Sequence, residues 1–584
     1  MKALKKLNNY FLKYKFLLLI GLFFTVSSRV FAVIAPSLVG DSITQIENFF
    51  TESQLEVEQL KKILIKNILL IIGAAISSGF FTFFMRQTII NVSRHIEFDL
   101  KNSIYNHYQK LSVNFYKKNR TGDLMSRISE DVSKVRMYVG PALMYSINTL
   151  TLFIIVISYM FSVAPRLSVY TLVPLPFLSF IIYKLSRAIN DKSSEVQKIL
   201  AGLSTFAQET FSGIGIIKSF AVVKNRIKKM EIISKKSKDK NMSLVSVQAW
   251  FFPMMILLIG ASNVLVIFIG GKQFINDEIE LGVLAEFIIY VNMLTWPVAT
   301  VGWITSIIQQ AEVSQKRINE FLDENPQISD IGKKELLTSE LPIEFKNVSL
   351  TYKDTGLKAL DDLSFKIKNG ESLALMGYTG SGKTSVIDIL TKTYLPTKGE
   401  VFIGNQPIKK ISQKSLRNIM GVVPQEPFLF SDSIENNIKF GKNNADKKEI
   451  ISSCKSAKIH KDILNFKNGY KTVLGERGIT ISGGQKQRVS IARALIKKPK
   501  ILILDDCLSS VDTKTEKAIL NELKKLKTGI STVIICHRIS TAKNADKILV
   551  LNKGKIEQIG THKELICVDG FYKKTFELEQ ANLN

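Results

Sequence analysis

The eight residues Gly377 to Thr384, GYTGSGKT, follow the apolar run ESLALM and fit the pattern G-x-x-x-x-G-K-[ST] at every fixed position. Each residue type has a physical reason to be there. The glycines let backbone N–H groups curl around phosphate oxygens without a Cβ in the way, and the helix that follows presents its positive end to the anion. Lys383 supplies a point charge for β- and γ-phosphates, and the Thr384 hydroxyl reaches a magnesium ion. Gly377, Tyr378, Thr379, Gly380, Ser381, Gly382, Lys383, Thr384 and Ser385 are therefore the candidate phosphate cradle. Later in the chain, ILILDD runs four apolar residues into Asp505 and Asp506. An acid ending a buried strand is placed to hold the metal, directly or through water, and the acid after it faces the γ-phosphate. A helix cap or surface turn fits poorly behind four apolar residues. Together the two motifs imply a nucleoside triphosphate and Mg²⁺.

Between them lies ISGGQKQR, Ile481 to Arg488, preceded by GERGIT. With these motifs in this order, the sequence resembles the ATP-binding-cassette superfamily, whose signature is a Ser-Gly-Gly-Gln run before a helix. The resemblance implies further roles. Tyr352 in SLTYKD looks like the aromatic residue that stacks on adenine, and Gln425 in VVPQEPFLF like the glutamine that contacts magnesium and the attacking water. His537 in IICHRIS resembles the switch histidine, and SSVD ending at Asp512 the loop that communicates across a dimer. The expected catalytic set is Lys383, Gln425, Asp506 and His537, and the expected metal set is Thr384, Gln425 and Asp505. Ser482, Gly483, Gly484 and Gln485 offer a hydroxyl and close backbone amides at a helix N-terminus, an anion site with no lysine of its own. Such a surface completes a nucleotide site only when another subunit brings a phosphate loop to it, so a dimer is expected.

The elements that must carry these residues divide the chain in two. At 584 residues it is too long for one core. A net charge of +28 alone would suit nucleic-acid binding, but the 46 % apolar content is concentrated in the first 310 positions, in runs such as FFPMMILLIGASNVLVIFIGG. Lysines on the cytoplasmic side of a membrane explain both features, and nucleic acid is not an expected partner. Six apolar segments are long enough to cross about 30 Å of hydrocarbon: Phe16 to Leu38, Ile63 to Met85, Pro141 to Val163, Leu167 to Leu185, Gln248 to Ile269 and Leu281 to Ile308. The start resembles a secretory signal, yet the later spans favour an uncleaved first membrane helix. The acidic stretch DSITQIENFFTESQLEVEQ reads as an outer loop, while the basic stretches Arg86 to Val139 and Ser186 to Val247 are cytoplasmic, as are both termini. Those stretches read as helical extensions of the spans. Two segments inside them, FYKKNRTGDLMSR (Phe115 to Arg127) and QETFSGIGIIKSF (Gln208 to Phe220), place Gly between helical runs as hairpin tips do. Inside the spans, Arg29 reads equally as a lining of a substrate path or as a structural pairing, Glu286 sits near the outer end of the sixth span, and Trp296 with Pro297 reads as a packing kink. The four cysteines, Cys454, Cys507, Cys536 and Cys567, show no CxxC spacing and read as reduced cytosolic thiols.

The expected fold is a six-helix transmembrane domain with long cytoplasmic helical extensions (1–323), a linker (324–340) and an α/β P-loop cassette domain (341–584). This arrangement resembles bacterial half-transporters of the exporter type, including multidrug and lipid exporters, in the cell membrane with the cassette cytoplasmic. In that family the two tip segments are coupling segments that convey cassette closure to the helices. The implied activity is ATP hydrolysis coupled to export of an amphiphilic or lipid-like substrate, with membrane lipid and a second half-transporter as partners. One position departs from the family: efficient members carry Glu where this chain has Asp506. The shorter side chain withdraws the carboxylate by roughly 1 to 1.5 Å, judged from bond dimensions, and general-base help worth about 10² to 10⁴ in rate depends on that reach. The pattern matches the degenerate half of asymmetric two-chain exporters and favours a heterodimer over a slow homodimer. The competing reading is a regulatory, nucleotide-gated channel-like membrane protein; a fused permease with no substrate-binding domain disfavours an importer.

Overall fold

The computed structural model describes residues 2–51, 56–326, 335, 340–475, 478, 481–525 and 529–581, without the side chains of 178, 298 and 299. Most of the expected linker 324–340 and of the GERGIT stretch lies outside the described residues. The chain forms two compact units, Met1–Pro326 and Gln327–Asn584.

In the first unit, six helical stretches are long and apolar enough to cross a membrane: Lys15–Thr51, Val57–Lys110, Thr121–Val163, Pro165–Ser212, Val223–Ile275 and Leu281–Leu322. Each contains one expected span and runs well past it, because at 1.5 Å per residue the 54 residues of Val57–Lys110 reach far beyond the hydrocarbon. The acidic stretch expected as an outer loop is instead mostly helix, since the first helix continues unbroken to Thr51. Prolines set the other departures. The fourth span is cut at Val173 into Pro165–Leu172 and Pro174–Ser212, each opening on a proline whose missing N–H is harmless in a first turn. Pro297, expected at a kink, lies inside the uninterrupted helix Leu281–Leu322, with Trp296 63 % exposed beside it.

Small residues let the first and sixth helices touch. A Cβ added at Gly282 would sit 2.0 Å from the Gly40 carbonyl oxygen. One turn on, the buried Glu286 carboxylate accepts from the Tyr290 hydroxyl at 3.0 Å, so this intramembrane acid has a partner within its own bundle. Arg29 is half-buried, and its Nε has no hydrogen-bond partner among the described residues. On the cytoplasmic side, the first tip segment is two short helices, Val113–Lys118 and Thr121–Ser126, followed by a π-turn, Arg127–Asp131. The second tip breaks at Gly213, between Pro174–Ser212 and the short helix Ile214–Ser219.

The second unit holds two sheets. Strands β1 (Ile343–Thr351), β2 (Lys358–Ile367), β4 (Lys398–Ile403) and β5 (Gln406–Pro407) form an antiparallel sheet in the order β2-β1-β4-β5. The larger sheet has the order β10-β9-β3-β8-β7-β6, from β3 (Ser372–Gly377), β6 (Met420–Val423), β7 (Ile501–Asp505), β8 (Ser531–Ile535), β9 (Lys547–Asn552) and β10 (Lys555–Gly560). All its neighbours pair parallel except β9 and β10. The apolar run ILIL now has its reason: parallel strands covered on both faces read as continuous hydrophobic sequence. Successive residues feed opposite cores. Ile501, Ile503, Val533 and Leu549 pack in one cluster, and Leu502, Leu504, Ile534 and Val550 in the other.

Candidate nucleotide-binding site

In an open parallel sheet, ligands sit beyond the carboxyl ends of the strands. Here four neighbouring strands deliver the sequence motifs to that edge. β3 ends in the glycine-rich loop, β8 two residues before His537, β7 in Asp505 with Asp506 next, and β6 two residues before Gln425. Because β8 lies between β3 and β7, His537 falls between the loop and the acid pair. Tyr352, Thr379 to Ser385, Gln425, Asp505, Asp506 and His537 all line one cleft of about 490 Å³. The expected residues Gly377 and Tyr378 are not on its wall.

The loop's conformation requires its glycines. Gly377, Gly380 and Gly382 have φ of +135°, +80° and +102°. Space is equally tight, since a Cβ on Gly377 would meet the Leu551 carbonyl oxygen at 2.1 Å and one on Gly382 the Ala359 oxygen at 2.5 Å. Lys383 opens the helix Lys383–Leu390 and is only 8 % exposed. Its ammonium donates to the Gly377 and Tyr378 carbonyls at 2.8 Å each, leaving one N–H for an anion. Burial lowers its pKa, against the pull of Asp506 and Asp505. Ser381 Oγ is buried with no hydrogen-bond partner among the described residues, a polar atom that a phosphate oxygen would satisfy.

Asp505 is 8 % exposed, and burial, with the charges of Asp506 and Asp388 adding to it, pushes its pKa up to about 6. Asp505, at the strand end, feels the charges of Asp506 and Asp388 with the Lys383 ammonium opposing them, and with the exposed Thr384 hydroxyl it offers oxygen donors of the kind a divalent cation takes. Asp506 stands in the left-handed region at φ +43°, which Asp tolerates better than longer side chains because it can bond its surroundings locally. Burial raises its pKa too, while His537, a hydrogen bond from Gln425, Lys383 and Arg538 pull it back. The loop carrying His537 is anchored one residue on, where Arg538 pairs with the buried Glu516 at 2.9 Å and Glu516 also accepts from Thr541. Tyr352 is held by its hydroxyl, 3.0 Å from Ser385 Oγ and 3.3 Å from Asp388, and by an edge contact with Tyr394.

Ser482, Gly483, Gly484 and Gln485 are not in this cleft. They begin the helix Gly483–Leu495, where Ser482 Oγ accepts from Gln485 N at 3.3 Å and Gln485 Oε1 from Ser482 N at 3.1 Å. That reciprocal cap satisfies two backbone N–H groups of the helix start, where Ser482 and Gly483 are exposed. Arg488, on the next turn, holds Asp462 at 2.8 Å, and Gln485 Nε2 donates to the same carboxylate at 3.3 Å. Asp512 is exposed and caps the following helix by accepting from Thr515 N at 2.9 Å. The sequence missed six residues of the cleft wall: Leu357, Lys358, Ala359, Ile535, Lys553 and Gly554. The Lys-Gly pair signals a turn between β9 and β10, and bonds from Asp361 N to the Gly554 oxygen, 2.8 Å, and from Gly554 N to the Ser381 oxygen, 3.1 Å, hold it beside the cleft.

Comparison with known proteins agrees with this geometry. Residues 18–298 match the family model described as ABC transporter transmembrane region, and residues 360–509 the one described as ABC transporter. A Bacillus subtilis (strain 168) protein named probable multidrug resistance ABC transporter ATP-binding/permease protein YheI is 32 % identical, over 99 % of this chain and 98 % of that one. An ATP-dependent lipid A-core flippase from Syntrophus aciditrophicus (strain SB) is 35 % identical, over 84 % of this chain and 81 % of its own. A solved bacterial Atm1-family ABC exporter with ATP bound shares the fold, with a TM-score of 0.78, 22 % identity and 98 % coverage of both chains. With one permease half and one cassette matched in a single chain, this protein belongs to the ABC transporter family, as an ATP-hydrolysing exporter-type half-transporter that works as a dimer in the membrane with its cassette in the cytoplasm.

Proposed function

We propose that the dimer moves an amphiphilic or lipid-like substrate out of the cytoplasm or inner leaflet, and that this chain contributes the slower of two ATP sites. Two relatives carry names that point to such cargo, one to multidrug resistance and one to lipid A-core. The membrane spans agree, being mostly Phe, Leu, Ile and Val. In the cleft, Lys383 binds the β- and γ-phosphates, Tyr352 supports adenine, and Gln425 and His537 position the attacking water. Thr384, Gln425 and Asp505 would hold Mg²⁺, whose role is to neutralise phosphate charge. Ser482, Gly483, Gly484 and Gln485 close over the partner's nucleotide, and Phe115 to Arg127 and Gln208 to Phe220 receive cassette motion.

The observation that carries the slow-site reading is Asp506 itself. The carboxylate that should orient the water is one methylene short and rests on a left-handed backbone, so proton abstraction loses reach while electrostatic stabilisation remains. Such a chain gains from a different partner whose acid is longer, and a heterodimer is the arrangement we favour. Export is tested with inverted vesicles given ATP and a fluorescent amphiphile. Accumulation against a gradient, abolished by Lys383→Ala, supports the reading; equilibration that never exceeds the outside concentration would show a gated pore instead.

A further inference from the structure

The first cytoplasmic tip is fastened to the chain's own last membrane helix by a compact charged network. Arg317, on the sixth helix Leu281–Leu322, is its hub. Its guanidinium lies 2.5 Å from Asp123 Oδ1, on the short helix Thr121–Ser126, and 3.1 Å from Asp131 Oδ2, at the end of the π-turn Arg127–Asp131. Arg127 extends the network with a 2.8 Å pair to Asp123. Ser314, one turn before Arg317, donates to Asp131 Oδ1 at 2.8 Å. Two arginines and two aspartates balance in charge.

Asp131 is 1 % exposed, so its carboxylate depends on these partners for stabilisation. A buried charge stripped of one partner is far worse off than one left paired, and the network therefore opposes any sliding of tip against helix. An aromatic contact extends the joint. Phe321, one turn beyond Arg317, is 2 % exposed and packs 4.4 Å from the Tyr108 ring and 5.8 Å from Phe115, while Tyr108 donates to the Leu124 carbonyl at 2.8 Å. The N-terminal segment grips the same stretch: Ala3 N donates to Glu312 and Asn319 to the Ala3 carbonyl, at 3.0 and 3.1 Å. The second tip is different. Its Phe211 and Phe220 are each 74 % exposed, and the side-chain hydrogen bonds of Thr210 and Ser219 run to the carbonyls one turn back on their own helices, those of Phe206 and Gly215.

We infer that Arg317 and Asp131 are positioning residues for transport, which lock the first cytoplasmic tip to the sixth membrane helix so that a displacement of the tip is delivered to that helix as one rigid piece. The inference rests on the proposal above that the tips receive cassette motion, and it adds which helix the first tip drives and through which atoms. Neither residue is among those lining the nucleotide cleft. Their loss should separate hydrolysis from transport, whereas a fault in folding would lower both.

The test uses the full chain in its active dimeric form in liposomes, with NBD-labelled phosphatidylethanolamine as probe. Arg317→Met keeps the aliphatic stem and removes the fork; it should hydrolyse ATP within about twofold of wild type and move the probe at least about tenfold more slowly. Arg317→Lys should restore about half of the transport, because the charge returns without the bidentate geometry. A readout that needs no cargo accompanies this. In a Cys567→Ser background, since Cys567 is the exposed thiol, Gln309→Cys on the exposed face of the sixth helix is labelled with maleimide, with and without ATP and vanadate. The nucleotide-dependent change in labelling should vanish in Arg317→Met. If that variant does not fold, Asp131→Asn, which retains the Ser314 bond, replaces it in both assays. Unchanged transport and labelling, or hydrolysis and transport falling in parallel, would overturn the inference. If wild type does not move the probe, the cargo reading fails, and the labelling arm still decides on the joint.

Discussion

Replacing Asp505 with asparagine should stabilise the nucleotide-free cassette while destroying its use of magnesium. The carboxyl has a pKa of about 6 in the fold, mainly from burial, against 3.8 when free. Between those values the folded state binds more protons than the unfolded one, so wild-type stability rises as pH falls from about 7 toward 4 and is flat above 7. At pH 8 the ionised, buried carboxylate costs roughly 3 kcal/mol relative to the unfolded chain, at 1.36 kcal/mol per unit. Asparagine has no charge to desolvate. The variant should therefore melt higher than wild type by roughly 6 to 12 °C at pH 8, with the gap closing toward pH 4. Scanning calorimetry of the cassette transition in metal-free protein measures this directly. Adding Mg·ATP should then raise the wild-type transition by mass action and leave the variant's nearly unmoved. A variant that melts lower than wild type at pH 8, or a gap that does not change with pH, would refute the assignment of burial as the cause.

Substitutions at two further positions probe the loop and the proposed stacking role of Tyr352. Gly382→Ala forces a side chain into φ +102° and against the Ala359 oxygen; it should cost roughly 2 kcal/mol in the cassette transition and abolish nucleotide binding measured by fluorescent ATP titration. Tyr352→Ala should weaken nucleotide affinity about 5- to 100-fold by removing the stacking platform, while Tyr352→Phe, which loses only the bonds to Ser385 and Asp388, should stay within about threefold of wild type.

The parts of the site legible in the sequence are those fixed by local stereochemistry. Gly377 and Gly382 are fixed in the motif because those two backbone positions need φ above zero, and Gly380, at a variable position, has φ above zero as well. ILIL before Asp505 was readable for a similar reason: a strand covered on both faces cannot alternate. Convergence of Gln425, Asp505, Asp506 and His537 follows once the strands are parallel and neighbours, although their order in the sheet is not a local property. What stayed hidden depends on long-range pairing. Lys553 and Gly554 reach the cleft wall only because a turn meets Ala359 across the sheets. The pairing of Asp131 with Arg317 belongs here too, since nothing in their spacing shows that two distant helices meet there. Helix ends were also unreadable, because charged residues continue a helix in water as readily as they end a span, and the acidic run after the first span did so.

The most direct test of the account is the ATP hydrolysis rate of this chain purified alone in lipid, compared for wild type, Asp506→Asn and Asp506→Glu. The account predicts a low wild-type rate, little changed by Asn, and a rise of about tenfold or more with Glu as the carboxylate regains its reach. A wild-type rate near 10 per second, about the median for enzymes, that Asp506→Asn abolishes would contradict it.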